Sequence, residues 1–150
     1  MIVFWTGCSS SPLPESFSGT VARQVTQSAH CGLGERGLAY VESADQLLGF
    51  SRLPGQNLAI EQLRQTDFAR EHLLIVALGE KPTGGYSVAL AEAVEEGPVL
   101  SLTMELREPG KDSMVAQVIT TPCAVIAIPA VDWSEIRVSG VDERNLVMKR

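Results

Sequence analysis

Residues 73–90 read Leu-Leu-Ile-Val-Ala-Leu-Gly-Glu-Lys-Pro-Thr-Gly-Gly-Tyr-Ser-Val-Ala-Leu, and the rest of the chain is organised around them. The first six residues are all apolar, which is typical of a strand buried on both faces, although so short a run also allows a buried helix. In the last five residues apolar side chains alternate with small or polar ones, which predicts a half-buried strand. Between the runs, Pro82 and two glycines are typical turn residues. The stretch predicts a strand, a projecting loop and a second strand.

Short strands dominate the patterns on either side of this stretch. Ser43, with Gln46 three residues later, predicts the start of one short helix, and a second helical turn is expected over residues 60–65. Strands or extended segments are expected at 20–29, 38–41, 100–106, 114–119, 123–128, 135–139 and 145–148. Many short strands separated by turns predict a mainly β (α+β) fold. We expect a small antiparallel β-sandwich or barrel-like domain with one or two short helices.

Composition narrows the class of function. The chain has 150 residues, enough for one domain, and a formal net charge of −6. An acidic chain of this kind is not expected to bind nucleic acid, which needs clustered Lys and Arg. The two histidines, His30 and His72, show no His-x-x-x-His spacing, and the cysteines form no Cys-x-x-Cys pair. We therefore expect no metal and no cofactor, and interpret His30 as a solvated turn residue.

The first eight residues resemble the end of a bacterial lipoprotein signal. They are mostly apolar and place Gly7 directly before Cys8, which predicts lipidation of Cys8 and a membrane anchor. A positive start and a full apolar core are missing, so we expect a truncated signal. Ser9 favours a periplasm-facing outer-membrane lipoprotein of the cell envelope. The alternative is an apolar N-terminus without lipid.

The central loop also carries a family resemblance. Residues 78–88, Leu-Gly-Glu-Lys-Pro-Thr-Gly-Gly-Tyr-Ser-Val, resemble the signature loop of the C-terminal domain of the protease complex subunit PrcB family. Residues 115–129 are similar to that family's second block. The resemblance implies a small β-rich domain of exported lipoproteins, proposed to associate with or stabilise proteases, and it does not imply catalysis. We expect a signal and Ser/Pro-rich tether over residues 1–19 and a single PrcB-like domain over residues 20–150.

We expect partner binding in the loop itself, which is glycine-rich and lies at one end of the predicted sheet. Its residues are Lys81, Pro82, Thr83, Gly84, Gly85 and Tyr86. A loop on a rigid sheet is a common place for binding, although this one could also be only a required turn with Tyr86 as a core anchor. We expect a protein partner, with a protease as the candidate, and no small-molecule substrate.

A second hypothesis is inhibition of a protease. The same loop is similar to the Asn-Pro-Thr-Thr-Gly-Tyr loop of chagasin-like cysteine-protease inhibitors, which have an immunoglobulin-like sandwich. In those inhibitors the loop enters the active-site cleft of the enzyme. Here Lys81 replaces the Asn and Gly84 the second Thr, and residues 107–110 match the third inhibitory loop, Arg-Pro-Trp, poorly. A plain structural role in the envelope is the third alternative.

Catalytic motifs are not found in the sequence. There is no Gly-x-Ser-x-Gly elbow, and neither histidine lies near a convincing nucleophile, so we expect no enzyme and no catalytic residues. Glu92, Glu95 and Glu96 are expected to form a solvated cluster in a surface turn.

The cysteines predict one cross-link. If Cys8 carries lipid, Cys31 and Cys123 remain as a pair, and an exported domain meets an environment that allows disulfides. Our hypothesis is a Cys31–Cys123 disulfide. The alternative is two separate buried thiols.

Overall fold

The structure, a computed structural model, describes residues 21–150. The predictions for residues 1–19, lipidation of Cys8 included, lie outside the described residues. The elements in chain order are β1 (Arg23–Ser28), β2 (Arg36–Val41), α1 (Ala44–Ser51), α2 (Ile60–Leu63), β3 (Glu71–Leu78), β4 (Ser87–Glu96), β5 (Val99–Arg107), β6 (Cys123–Pro129), β7 (Glu135–Ser139) and β8 (Leu146–Lys149). No helix within residues 21–150 has the length and apolar character of a membrane span.

The first sheet is fully antiparallel and has the strand order β1-β6-β3-β2. Its two central strands, β3 and β6, are buried along almost their whole length. Alternate residues of each strand enter two different cores. Leu74 and Ile126, paired in register, face the second sheet, whereas Leu73 and Ala127 face the helices. The continuous apolar run therefore forms a strand buried on both faces, as the sequence predicts.

The second sheet has the order β4-β5-β7-β8 and is mixed. β4 pairs with β5 and β7 with β8 antiparallel, but β5 and β7 run parallel, with Leu100 opposite Ile136. The predicted antiparallel sandwich therefore contains one parallel pair of strands. After β5 the chain crosses to the first sheet to form β6, and it returns to the second sheet in the direction of β5. A parallel pair needs such a crossover, because no tight hairpin can connect its strands.

The second sheet, the first sheet and the helices form three layers, and two apolar cores hold these layers together. One lies between the sheets and includes Trp133, which is buried. The other lies between the first sheet and the helices, where Leu47 of α1 and Leu63 of α2 are fully buried. The described strands form two separate sheets, so the prediction of a sandwich with two short helices is confirmed, while a closed barrel is not what they form.

Helix α1 begins where the sequence predicts. Ser43 is its N-cap, and the Ser43 side chain accepts a hydrogen bond from the Gln46 backbone N–H at 3.4 Å. The Gln46 side chain accepts from the backbone N–H of Glu42, one residue before the cap. Two N–H groups near the helix start are thereby satisfied, as in a capping box.

Candidate functional site

The predicted binding loop connects the two sheets, running from the end of β3 to the start of β4. We call residues 81–86 the tip loop and residues 109–120, which lie against it, the companion segment. Lys81 and Thr120 exchange two backbone hydrogen bonds, of 2.8 and 2.9 Å, and the Gly84 N–H donates to the Ala116 carbonyl at 2.9 Å. The sequence predicts a loop that projects from the sheet. In the structure the tip loop is instead fixed along the companion segment.

Thr120 holds this arrangement from inside. Its side chain is only 2% exposed, and its hydroxyl donates to the Thr83 carbonyl at 2.8 Å. The Thr83 hydroxyl donates to the Gly84 carbonyl at 2.9 Å. Sequence reasoning missed Thr120 as a support for the tip loop. The available signal was its position in the second block of the family resemblance, directly before Thr121 and Pro122.

Only one of the two tip-loop glycines needs its special backbone freedom. Gly85 has a φ of +90°, whereas Gly84 does not have a positive φ. A Cβ added at Gly85 would lie 2.9 Å from both Pro109 Cβ and Val115 Cγ1, closer than real Cβ atoms approach. Backbone conformation and the companion segment thus both require glycine at this position.

The outer surface of the tip loop combines a fixed backbone with one exposed side chain. Pro82 is exposed, and the Lys81 Nζ lies 5.4 Å from the centre of the Tyr86 ring. Tyr86 is half-buried and packs on the core between the sheets. The neighbouring companion segment exposes Met114, Val118 and Ile119. Together the two loops form an exposed, partly apolar surface, which suits contact with a macromolecule.

A second cluster of polar side chains lies near the opposite end of β3. The Tyr40 hydroxyl and His72 Nδ1 are 2.6 Å apart, and the Arg150 guanidinium stacks on the Tyr40 ring at 3.7 Å while pairing with Glu42. They line a cavity of about 500 Å³ that Ser134 also borders. Burial raises the pKa of Tyr40, and the hydrogen bond from Arg150 lowers the pKa of Glu42. Sequence reasoning missed this cluster because its members are far apart in the chain.

The cysteine pair and the glutamates singled out in the sequence lie in different parts of the fold. The structure joins Cys31 and Cys123, whose Cα atoms are 6.1 Å apart, in the helix-side core. Within residues 21–150 no group of three or more His, Cys, Asp or Glu residues is arranged to hold a metal ion. Glu92, Glu95 and Glu96 are exposed, but they belong to β4, so the predicted surface turn at this position is wrong.

The His30 turn is tied to the same region as the companion segment. Its backbone forms a parallel bridge with Thr121, and its carbonyl accepts from the Asn57 N–H. The Thr121 hydroxyl accepts from the N–H groups of Cys31 and Gly32 at 3.1 and 3.0 Å. Two adjacent threonines therefore hold two different segments. Thr120 holds the tip loop, and Thr121 holds the turn that contains Cys31 of the disulfide.

Comparison with known proteins identifies the part of the chain that holds both loops. Residues 73–129 match the family model of the PrcB C-terminal domain. The resemblance stated from the sequence is confirmed for these residues. The match to PrcB runs from β3 to the end of β6, so the tip loop and the companion segment both lie within it. No curated protein and no solved structure matches the chain.

Replacing the buried hydroxyl of Thr120 tests how the tip loop is held. We expect Thr120→Val to lower the free energy of unfolding by about 1–2 kcal/mol, because the buried Thr120 hydroxyl is removed and the Thr83 carbonyl loses its donor, while the side-chain volume is kept. Urea unfolding measures this change. The matched control is Thr103→Val on exposed β5 surface, where the change should stay within about 0.5 kcal/mol. Equal effects of the two substitutions would show that the Thr120 hydroxyl does not support the tip loop.

Proposed function

We propose that the chain is a non-catalytic module of an exported lipoprotein that binds and stabilises a protein partner through the tip loop, with a protease as the candidate partner. The observation that carries this proposal is a tip loop fixed by Thr120, Gly85 and the companion segment, yet exposed at Pro82. A surface already held in its binding conformation loses little conformational entropy on association. The PrcB match supports a place in a protease complex.

The polar cluster around His72 favours a structural role over catalysis. The described side-chain partner of His72 is the Tyr40 hydroxyl, and the Ser134 hydroxyl donates to the Pro98 carbonyl at 3.3 Å. A serine nucleophile would need a hydrogen bond to its base. The cluster also binds Arg150 to β2, since Arg150 pairs with Glu42 just after that strand. We therefore assign the cluster a structural role: it attaches Arg150, which follows the last strand of the second sheet, to the first sheet.

Export and anchoring complete the proposal. Lipidation of Cys8 would hold the domain at the periplasmic face of the outer membrane, with residues 9–19 as the tether. The Cys31–Cys123 pairing supports an oxidising compartment, because structural disulfides persist there and are rare in the reducing cytosol.

Affinity capture from the cell envelope tests the function. The lipid-anchored chain, cross-linked and purified, is expected to bring one defined protein with it. The double variant Lys81→Glu/Pro82→Ala should recover about tenfold less of that protein, because it changes the exposed Pro82 and the half-buried Lys81 beside it and keeps the backbone hydrogen bonds of the tip loop. The matched control is Lys149→Glu/Pro98→Ala, which makes the same chemical changes at exposed positions elsewhere. Equal recovery by all three chains, or no protein recovered by any, would refute the proposal.

Protease inhibition is the alternative that the same loop offers. Pro109 of the poorly matching third loop does lie beside Gly85, so a second loop stands next to the tip as the inhibitor geometry requires. It provides no tryptophan, however. Titration of papain with the chain separates the two functions: inhibition that Thr83→Ala removes would favour the inhibitor, and full papain activity together with partner capture favours the binding module.

A further inference from the structure

Residues 114–119 of the companion segment leave most of their backbone groups without a partner among residues 21–150. No N–H of residues 114–119 donates a hydrogen bond to another described residue, and only the carbonyls of Val115 and Ala116 accept one. The stretch belongs to neither sheet and has a bend at Val118. In this respect the segment, as far as residues 21–150 show it, is similar to the edge of a sheet, whose open N–H and C=O groups are a template for pairing with a further strand.

The side chains of the same stretch are apolar and exposed. The sequence is Met-Val-Ala-Gln-Val-Ile, without a charge. Met114 is 101% exposed, Val118 51% and Ile119 65%. These are three of the seven large apolar side chains that residues 21–150 leave exposed, and they fall within six residues. Such concentration marks an interaction site, because isolated exposed apolar residues are ordinary and contiguous ones are not.

A contrast within the molecule strengthens this interpretation. Strand β4 is an edge of the second sheet, and its outer half carries Glu92, Glu95 and Glu96, all exposed. Charges on an edge strand oppose pairing with another chain. Residues 114–119 carry none, although β-branched and apolar residues are those that pair most readily. The chain thus protects one edge against pairing and leaves this segment unprotected.

The open backbone also selects the kind of occupant. A lipid surface is disfavoured, because unpaired N–H and C=O groups are costly in hydrocarbon. A second copy of the chain is disfavoured by the net charge of −6, which repels like molecules. A polypeptide strand satisfies both the backbone groups and the apolar side chains.

We infer that residues 114–119 accept an extended, uncharged and apolar segment of the partner protein, which adds to the companion segment as a β-strand. This inference rests on the proposed function, since it specifies how the partner contacts the surface beside the tip loop. The main-chain hydrogen bonds supply affinity, and Met114 and Ile119 select apolar side chains.

Peptide selection tests strand addition without the natural partner. Displayed random peptides, long enough to form one strand, are selected on the wild-type chain and counter-selected on Met114→Ser/Val118→Ser/Ile119→Ser. The control chain is Val131→Ser/Val147→Ser, which removes exposed apolar side chains at other sites. We expect peptides with uncharged, alternately apolar cores that bind the wild-type and control chains about tenfold more tightly than the triple variant.

Methylation of the peptide amides supplies the decisive signature. The N–H groups of a strand point alternately to its two sides, so methylation of every second amide should weaken binding about tenfold and methylation of the amides between should not. No peptide that separates the wild-type chain from the triple variant, or no alternation, would overturn strand addition. Self-association of the wild-type chain that the triple variant abolishes would overturn it in favour of a second copy. Sedimentation of the Cys8→Ser chain with phosphatidylglycerol vesicles, lost on adding the triple substitution, would overturn it in favour of a membrane.

The outcomes for the two proposals are distinct. Partner capture that depends on Lys81 and Pro82, without a strand-like peptide signature, removes the strand-addition inference and leaves the binding function in place. Capture of no protein, or capture that Lys81→Glu/Pro82→Ala leaves unchanged, removes the proposed function of the tip loop even where the strand-like peptide signature is found.

Discussion

Reduction of the Cys31–Cys123 disulfide is expected to lower the free energy of unfolding by about 4 kcal/mol. The bond closes a loop between residues 92 positions apart, and in the chain-entropy model a cross-link over such a loop removes about that much freedom from the unfolded chain. It also joins the turn after β1 to the start of β6, within the core under the helices. Urea unfolding with and without a thiol reductant measures the difference.

The control for this experiment is the third cysteine. Cys8→Ser removes that thiol and leaves the pair intact, so its unfolding should show the same dependence on reductant. Alkylation and peptide mapping without reductant should find Cys31 and Cys123 in one linked peptide pair. Two freely alkylated thiols would disprove the bond, and an unchanged unfolding curve on reduction would disprove its contribution.

Gly85→Ala is expected to cost about 3 kcal/mol of stability and to weaken partner capture about tenfold. An alanine at a φ of +90° is strained, and its Cβ would meet Pro109 and Val115 at 2.9 Å, so the companion segment must move away from the tip loop. Stability and binding should therefore fall together.

A second glycine separates strain from contact. Gly97 in the turn between β4 and β5 has a φ of +59°, and a Cβ there would meet nothing within 4 Å. Gly97→Ala should cost about 1 kcal/mol from the backbone alone and leave partner capture unchanged. If both substitutions had the same effect on stability and neither changed capture, the tip loop would not depend on its contact with the companion segment.

The sequence predicted best where neighbouring residues determine the structure. The run from Leu73 to Leu78 predicted a strand buried on both faces, and the two cores on either side of β3 explain it. Ser43 and Gln46 predicted the start of α1, because helix capping depends on residues three positions apart.

The length of β4 shows how a local irregularity hides a strand. Val88 and Leu90 face the inter-sheet core, but the register of β4 against β5 shifts between Leu90 and Glu92. After that bulge it is Ala93 that packs on the core, so the alternation changes phase. Periodicity therefore ended the predicted strand at Leu90 and assigned the following glutamates to a turn.

The candidate site was predictable only in part. Pro82 and the two glycines predicted a turn between two strands. The family resemblance marked the same residues as the signature loop. Its attachment to residues 109–120 depends on backbone groups and on Thr120, which is 37 positions from Thr83. The parallel pairing of β5 with β7 and the contact of Arg150 with Tyr40 are equally remote in the chain. Local patterns contain no information on such pairings.

Hydrogen exchange of the chain, alone and bound to its captured partner, tests the central claim most directly. Binding at the tip loop predicts slower exchange of the amides of residues 81–86 in the complex, with little change in β8 and around the Tyr40–His72 cavity. Protection confined to that cavity, with the amides of residues 81–86 exchanging as in the free chain, would contradict the claim that the protein binds its partner through the tip loop.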